Sequence, residues 1–155
     1  MKNVAIIKKD NHYTVAATKE IKKGELIFKL QGAISTVADK YSIQLGKDKH
    51  LFPLSENPLD DSSTFMFLNH SCSPNSYFNL GEDKLIALKN ILVDEEINYH
   101  YCTTEYEISK PFTCHCGSNN CLREIKGYKY LSESIKYSLA LYTATHLKNS
   151  VKIIS

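Results

Sequence analysis

Asn69-His70-Ser71-Cys72-Ser73-Pro74-Asn75 is the stretch on which the reading of this chain turns. It sets an imidazole and a thiol two residues apart among small polar residues and a proline that favour tight backbone turns. Far downstream, Cys114, Cys116 and Cys121 form a C-x-C-x4-C run. Zinc takes thiolates in tetrahedral geometry, and four of them complete a closed structural site. Cys114 and Cys116 can both turn inward only on an irregular loop, and Gly117-Ser118-Asn119-Asn120 then reverses the chain to return Cys121. Three ligands leave one vacancy, for which Cys72 is the natural candidate. His115 lies between two better ligands and is not expected to coordinate. Cys102 is expected to be a buried lone thiol. Such a metal would tie the tail of the chain to its middle.

At 155 residues the chain is expected to form one domain. Its 43% hydrophobic and 23% charged residues place it with soluble globular proteins rather than disordered or membrane-spanning ones. No apolar run approaches the roughly 18 residues that span a bilayer, and the apolar stretch near Met1 is too short for a signal-peptide core. The expectation is an intracellular protein, cytoplasmic or nuclear. There, 5 cysteines argue for free thiols or metal rather than a disulfide framework. The net charge of +2 conceals a segregation. Residues 1–49 carry ten Lys against five acidic residues, residues 50–121 three Lys against ten acidic, and residues 122–155 six Lys or Arg against two Glu. An acidic centre suits a basic protein or peptide partner and gives no support for direct nucleic-acid binding; nothing in the sequence sets the oligomeric state.

The patterning is that of short strands. Val4 to Lys8 and Tyr13 to Thr18 flank a turn at Asp10-Asn11, and Leu26 to Leu30 follows a turn at Lys22-Lys23-Gly24. Tyr41 to Leu45 alternates again, and Ser76 to Leu80 and Lys84 to Leu88 read as a hairpin around Gly81-Glu82-Asp83. Lys47 to Ser63, with two prolines, reads as loop. After Gly127 the period changes: Ile135, Leu139, Tyr142 and Leu147 predict one helix over about 133–148, N-capped by Ser132. Many short strands and a terminal helix make the fold class mainly β.

These motifs coincide with those of a family. Asn69 to Asn75 resembles the N-H-S-C-x-P-N signature of SET-domain lysine methyltransferases. Asp94-Glu95-Glu96-Ile97-Asn98-Tyr99-His100-Tyr101 is similar to their G-E-E-L-T-F/Y-D-Y segment, and the C-terminal cysteines resemble their post-SET zinc motif. Glu20-Ile21-Lys22-Lys23-Gly24-Glu25 and Tyr41-Ser42-Ile43-Gln44-Leu45 are softer matches in the same order. The resemblance implies a β-clip of small curved sheets with a pseudoknot. It divides the chain into a SET domain at 1–109, a post-SET zinc segment at 110–131 and a C-terminal helical extension at 132–155.

The resemblance further implies an S-adenosylmethionine-dependent protein-lysine N-methyltransferase. Asn69, His70, Tyr13, Thr14 and Leu122 would contact the cofactor, and Tyr101 would stand at the transfer point. Zn2+ on Cys72, Cys114, Cys116 and Cys121 would fold the tail over the cofactor. Tyr99 occupies the position that governs methylation degree, and its hydroxyl there points to monomethylation. The substrate would be a basic protein or peptide, a histone tail among the candidates. The chain departs from the pattern at His12 and Thr14, where the family has Gly-x-Gly, at Met66 for Arg, at Asp94 for Gly and at His100 for Asp. Those departures leave a second reading, a non-enzymatic SET-fold module binding a basic partner.

Overall fold

The computed structural model describes residues 2–151; Met1 and residues 152–155, the end of the expected 132–155 extension, lie outside the described residues. The chain is mainly β, assembled from small sheets. Strands β1 (Val4–Lys9) and β2 (His12–Ala17) form an antiparallel ribbon, with Asp10 at φ 53 in the turn between them. β3 (Leu26–Lys29) joins a second sheet further along the chain. β4 (Ala33–Ser35), β5 (Ile43–Gly46) and β6 (Lys49–Phe52) form a third, with β6 central. The stretch read as loop from Lys47 to Ser63 therefore holds a strand at its start, and the 3₁₀ helix Asp61–Phe67 begins at its end. The strand escaped the sequence reading because four residues, Lys49-His50-Leu51-Phe52, are too few to show a period. Pairing on both edges orders them instead.

β7 (Asn69–His70) carries the first motif, and β8 (Ser76–Asn79) and β9 (Lys84–Ala87) form the expected hairpin, completing the β3–β9–β8 sheet. β10 (Asn98–Tyr99) pairs in parallel with β7, setting Asn98 opposite Asn69 and Tyr99 opposite His70. Two segments some thirty residues apart in sequence are thus brought side by side. β11 (Phe112–Thr113) and β12 (Glu124–Ile125) form a short antiparallel pair that brackets the C-terminal cysteines.

Two turns of the same construction frame the centre. Gly24 takes φ 86, and Glu25 Oε2 accepts the Lys22 N–H at 2.8 Å. Asp94 takes φ 65, and Glu95 Oε2 accepts the Leu92 N–H at 2.8 Å. Ile21 and Ile91, which precede these turns, are bridged to each other and fully buried. Asp94 replaces the family's glycine without loss of the turn, because aspartate is among the residues that tolerate left-handed backbone.

The core runs from Val15, Ile21 and Ile27 through Phe65, Leu68 and Phe78 to Leu85, Ile91 and Ile97, reaching Tyr99. A satellite cluster joins Cys72, Cys102, Cys114 and Ile125. The predicted single helix is instead two, α1 (Glu133–Leu139) and α2 (Thr145–Val151). Ser132 caps α1 as expected, accepting the Ile135 N–H at 3.3 Å. The break occurs because Ala144 N–H donates to Thr103 O at 2.8 Å and the Thr143 side chain is buried, so tertiary bonding replaces the next helical turn. No helix among the described residues is long and apolar enough to cross a membrane.

Candidate active site and metal centre

The segment from Asp94 to Tyr101 passes between two strands. Ile97 N–H donates to Val15 O at 2.8 Å and Ala17 N–H to Glu95 O at 3.0 Å, which ties it to β2. Ser71 N–H donates to Tyr99 O at 3.1 Å, which ties it to β7. Asn75 and Asn98 lock the crossing reciprocally: each side-chain oxygen accepts the other's backbone N–H, at 3.1 and 3.0 Å. Asn75 also donates to Glu96 O at 2.8 Å. Asn75 is buried, and its Nδ2 donates also to Glu95 Oε1 at 3.3 Å, so the side chain serves to hold the crossing together.

His70 is the pivot of the crossing. Its Nδ1 accepts the Tyr101 N–H at 3.1 Å, so the ring proton sits on Nε2, 3.3 Å from Cys72 Sγ. Burial, aided by the neighbouring His100, holds His70 down to about 3, and burial holds His100 down to about 4. Both rings are neutral at physiological pH. His100, in place of the family's aspartate, caps the turn at Tyr101–Thr103 by accepting the Cys102 N–H. The substitution keeps the acceptor and removes the charge.

Tyr101 donates its hydroxyl to Leu68 O at 2.7 Å. Burial, with Glu105 and Glu96 nearby, pushes its pKa well above that of free tyrosine. Tyr99 is buried with its ring 4.8 Å from that of Tyr101; burial, Tyr101 and Glu105 raise it too. Two cavities adjoin Tyr101. A cleft of about 680 Å³ is bounded by His12, Asn69, His70, Glu96, Tyr101 and Phe112, and reaches the cysteine segment at Cys114–Cys116. A narrower channel of about 210 Å³ is bounded by Tyr41, Met66, Tyr99, Tyr101, Glu105 and Phe112. Tyr101 and Phe112 belong to both walls.

The expected cofactor residues are placed differently from one another. Asn69 and His70 line the larger cleft. Tyr13 turns its half-exposed ring onto Phe67, at 5.5 Å between centroids. Thr14 is buried, its hydroxyl accepting from Asn69 Nδ2 at 3.3 Å. Asn69 Nδ2 also donates to Glu96 Oε1 at 2.8 Å. Leu122 packs in the satellite cluster and gives its N–H to Cys72 Sγ at 3.4 Å. In β2 it is His12 that reaches the cleft wall, a position sequence reasoning marked only for the glycine missing there. The cleft suits S-adenosylmethionine in size, lying within the roughly 300–1,000 Å³ of small-molecule sites. It also suits it in chemistry, with a carboxylate for the cation and aromatic walls for the base.

The Sγ atoms of Cys72, Cys114, Cys116 and Cys121 all lie within 4.8 Å of one another, with Cys72 and Cys114 at 4.0 Å. A tetrahedral zinc with bonds of about 2.3 Å requires sulfurs about 3.8 Å apart, so the four fit the metal. His115 is exposed and Cys102 buried, and neither belongs to this group of four. Asn120 Nδ2 donates to Cys72 O at 3.2 Å, a further tie between the motifs.

Residues 12–102 match the SET domain family. Methyltransferase flvH of Aspergillus flavus is 30% identical over 135 residues, covering 84% of this chain and 71% of that protein. The histone-lysine N-methyltransferase, H3 lysine-36 specific, of Emericella nidulans is 26% identical, covering 96% of this chain but 17% of the relative. Trithorax of Drosophila virilis is 34% identical over 67% of this chain and 3% of its own. Among solved structures, KRYPTONITE in complex with mCHG DNA and SAH matches with a TM-score of 0.61 at 20% identity, over 79% of this chain and 28% of that one. The methyltransferase domain of human SETMAR matches with a TM-score of 0.55 at 18% identity, over 75% and 54%. The two structures share the fold. With the family match spanning more than half of its residues, this chain belongs to the SET-domain methyltransferase family.

Proposed function

We propose that this chain is a protein-lysine N-methyltransferase acting chiefly as a monomethylase, with the larger cleft holding the cofactor and the narrow channel the target lysine. The observation that carries this is the shared wall: Tyr101 and Phe112 stand between the two cavities, where donor and acceptor would meet. S-adenosylmethionine supplies an electrophilic methyl group when bound. Its neighbours would be Asn69, His70 and Glu96, with Phe112 and the cysteine segment closing the cleft. Zn2+ on Cys72, Cys114, Cys116 and Cys121 would hold that segment as a lid. On this reading residues 1–109 form the catalytic body and 110–131 the lid.

Alignment of the two reactants supplies much of the acceleration of such a displacement. The lysine must be neutral to attack, at a cost of roughly 4–5 kcal/mol from its reference pKa at pH 7. Tyr101 does not act as the base. Its proton is committed to Leu68 O and its pKa is raised, which leaves lone pairs of the phenol oxygen to orient the amine. Tyr99 lines the channel, and its hydroxyl there would limit the room for a methylated nitrogen to turn, which favours single methylation. Relatives named as histone-lysine methyltransferases, and a KRYPTONITE structure with an H3(1-15) peptide, support a basic tail as substrate.

The alternative, a binding module without activity, draws support from His12 standing in the cleft wall. Calorimetry with S-adenosylmethionine, followed by mass spectrometry of a lysine peptide array, tests the proposal. Cofactor binding with products dominated by monomethyl-lysine is expected. Absence of cofactor binding at roughly millimolar concentration favours the module, and trimethyl-lysine as the main product refutes the role of Tyr99.

A further inference from the structure

Glu105 belongs to none of the motifs that identify the family, yet it faces the channel. The 3₁₀ turn at Tyr101–Thr103 is followed by Glu105 N–H donating to Tyr101 O at 3.0 Å, which folds the Glu105 side chain back toward Tyr99 and Tyr101. Its Oε1 is fixed twice, by the Gln44 N–H at 2.8 Å and the Thr104 hydroxyl at 3.0 Å. Oε2 has no hydrogen-bond partner among the described residues. Nor has Glu105 a counter-ion there: Lys40 and Lys110, the cations lining the same channel, form no ion pair with it. A carboxylate drawn out of water without a cation is costly. The guest expected in this channel carries one.

We propose that Glu105 receives the target lysine: it binds the incoming ammonium and takes its proton, delivering a neutral amine beside Tyr101. The inference rests on the methyl-transfer reading above. In the step, one N–H bond of the ammonium breaks and its proton passes to Oε2, leaving the electron pair on nitrogen. The amine nitrogen then bonds the methyl carbon as the carbon–sulfur bond breaks, and sulfur keeps that pair. The proton on Glu105 leaves to water through the channel mouth, and the product is the methylammonium.

The surroundings suit this role. Burial raises Glu105 to about 7 against the opposing bonds from Gln44 and Thr104, so it exchanges a proton near neutral pH. On its own segment it faces Tyr99, Tyr101 and Cys102, all raised by burial and so uncharged. From the loop before β5 come Asp39, Lys40 and Tyr41, and from the stretch before β11 comes Lys110. From α2, His146 bonds Thr104 O at 2.8 Å, with His50 of β6 in electrostatic reach of it. The one other carboxylate among these, Asp39, is exposed.

Glu105→Gln keeps an oxygen for the Gln44 and Thr104 bonds while removing the charge and the base. Lysine peptides chosen from a randomised array by binding are assayed with both proteins from about pH 5.5 to 9.5. For Glu105→Gln we expect kcat/KM lowered about tenfold or more at about pH 8. The acidic limb with apparent pKa near that of Glu105 should vanish, while cofactor affinity by calorimetry stays unchanged. Rates within about threefold, or an unchanged acidic limb, overturn the proposal. A measurement on the unaltered protein guards against a variant that fails to fold: competition between each lysine peptide and its norleucine counterpart. Lysine should be preferred about tenfold above neutral pH and lose that preference as Glu105 protonates; a preference independent of pH overturns the proposal. If the unaltered protein binds peptides but methylates none, the methyl-transfer reading fails, and the norleucine competition still decides whether Glu105 receives the ammonium.

Discussion

Removing zinc from the proposed four-thiolate site should release the segment it is proposed to hold and leave the rest of the chain folded. The nine residues from Cys114 to Leu122 contain a reversal through Gly117 at φ 72 and have few internal backbone bonds, chiefly Cys121 N–H to Ser118 O at 3.1 Å. Ordering nine residues costs about 9–18 kcal/mol at 1–2 kcal/mol each. Four-thiolate zinc contributes about 10–16 kcal/mol, so the metal and the chain entropy are nearly matched. Without zinc the segment keeps the Cys114 N–H bond to Arg123 O at 2.6 Å, the Asn120 bond to Cys72 O and the Leu122 N–H bond to Cys72 Sγ, at about 0.5–1.5 kcal/mol each too little to order it. Beyond Leu122 the balance reverses. Ile125 is fully buried, and Tyr128 and Lys129 N–H groups bond to Glu105 O and Tyr106 O at 2.9 and 3.0 Å. Burying one isoleucine contributes about 1.5–3 kcal/mol, and these bonds add to it without metal. Chelation, or Cys114→Ser, should therefore expose residues 114–122 to protease and to rapid amide exchange while residues 125–129 stay protected. Because Phe112 to Cys116 wall the larger cleft, S-adenosylmethionine affinity should fall together with lid order. Equal protection of 114–122 with and without chelator, at a measured zinc content near one per chain before treatment, would refute the reasoning.

Three further outcomes are expected. Tyr101→Phe should lower kcat about 10²–10³-fold, the loss typical of one transition-state hydrogen-bonding group. The lost bond to Leu68 O should cost only about 1–3 kcal/mol in a denaturation series, and near-normal turnover would remove Tyr101 from catalysis. Gly127→Ala should destabilise by more than about 3 kcal/mol, because Gly127 holds φ 126 and a Cβ there would lie 2.5 Å from Tyr106 O; a melting temperature unchanged from the parent's would contradict this. For Glu105 the folded value of about 7 exceeds the ordinary 4.5, so the folded chain binds the proton more tightly than the unfolded one. Stability from this group is full below 4.5 and declines by about 3 kcal/mol as pH rises through 7. Denaturation of the parent and Glu105→Gln at a series of pH values should show their difference changing across that window, and parallel curves would contradict it.

Much of the scaffold was legible because its signals are local. The hairpins at Asp10 and Gly81 announce themselves by alternation around turn residues, and the grouping of four thiols by their spacing. The strand at Lys49–Phe52 and the break after Leu139 were not legible. The first is ordered by two neighbours rather than by its own pattern. The second arises because Thr103, over forty residues earlier, takes the Ala144 N–H that a continuous helix would have used.

The candidate site divides in the same way. From the sequence alone came the residues that compose the motifs: an asparagine and a histidine side by side, two tyrosines and four thiols in a fixed order, each recognisable because a few adjacent residues suffice. Only the tertiary structure decided which side chains share a cavity. It placed His12 rather than Tyr13 or Thr14 in the cleft wall, made Tyr101 and Phe112 walls of both cavities, and turned Glu105 into the channel with no counter-ion among the described residues. The physical reason is that facing and burial depend on which strands and turns pack together, and a parallel pairing of two-residue strands leaves no periodic trace in the chain.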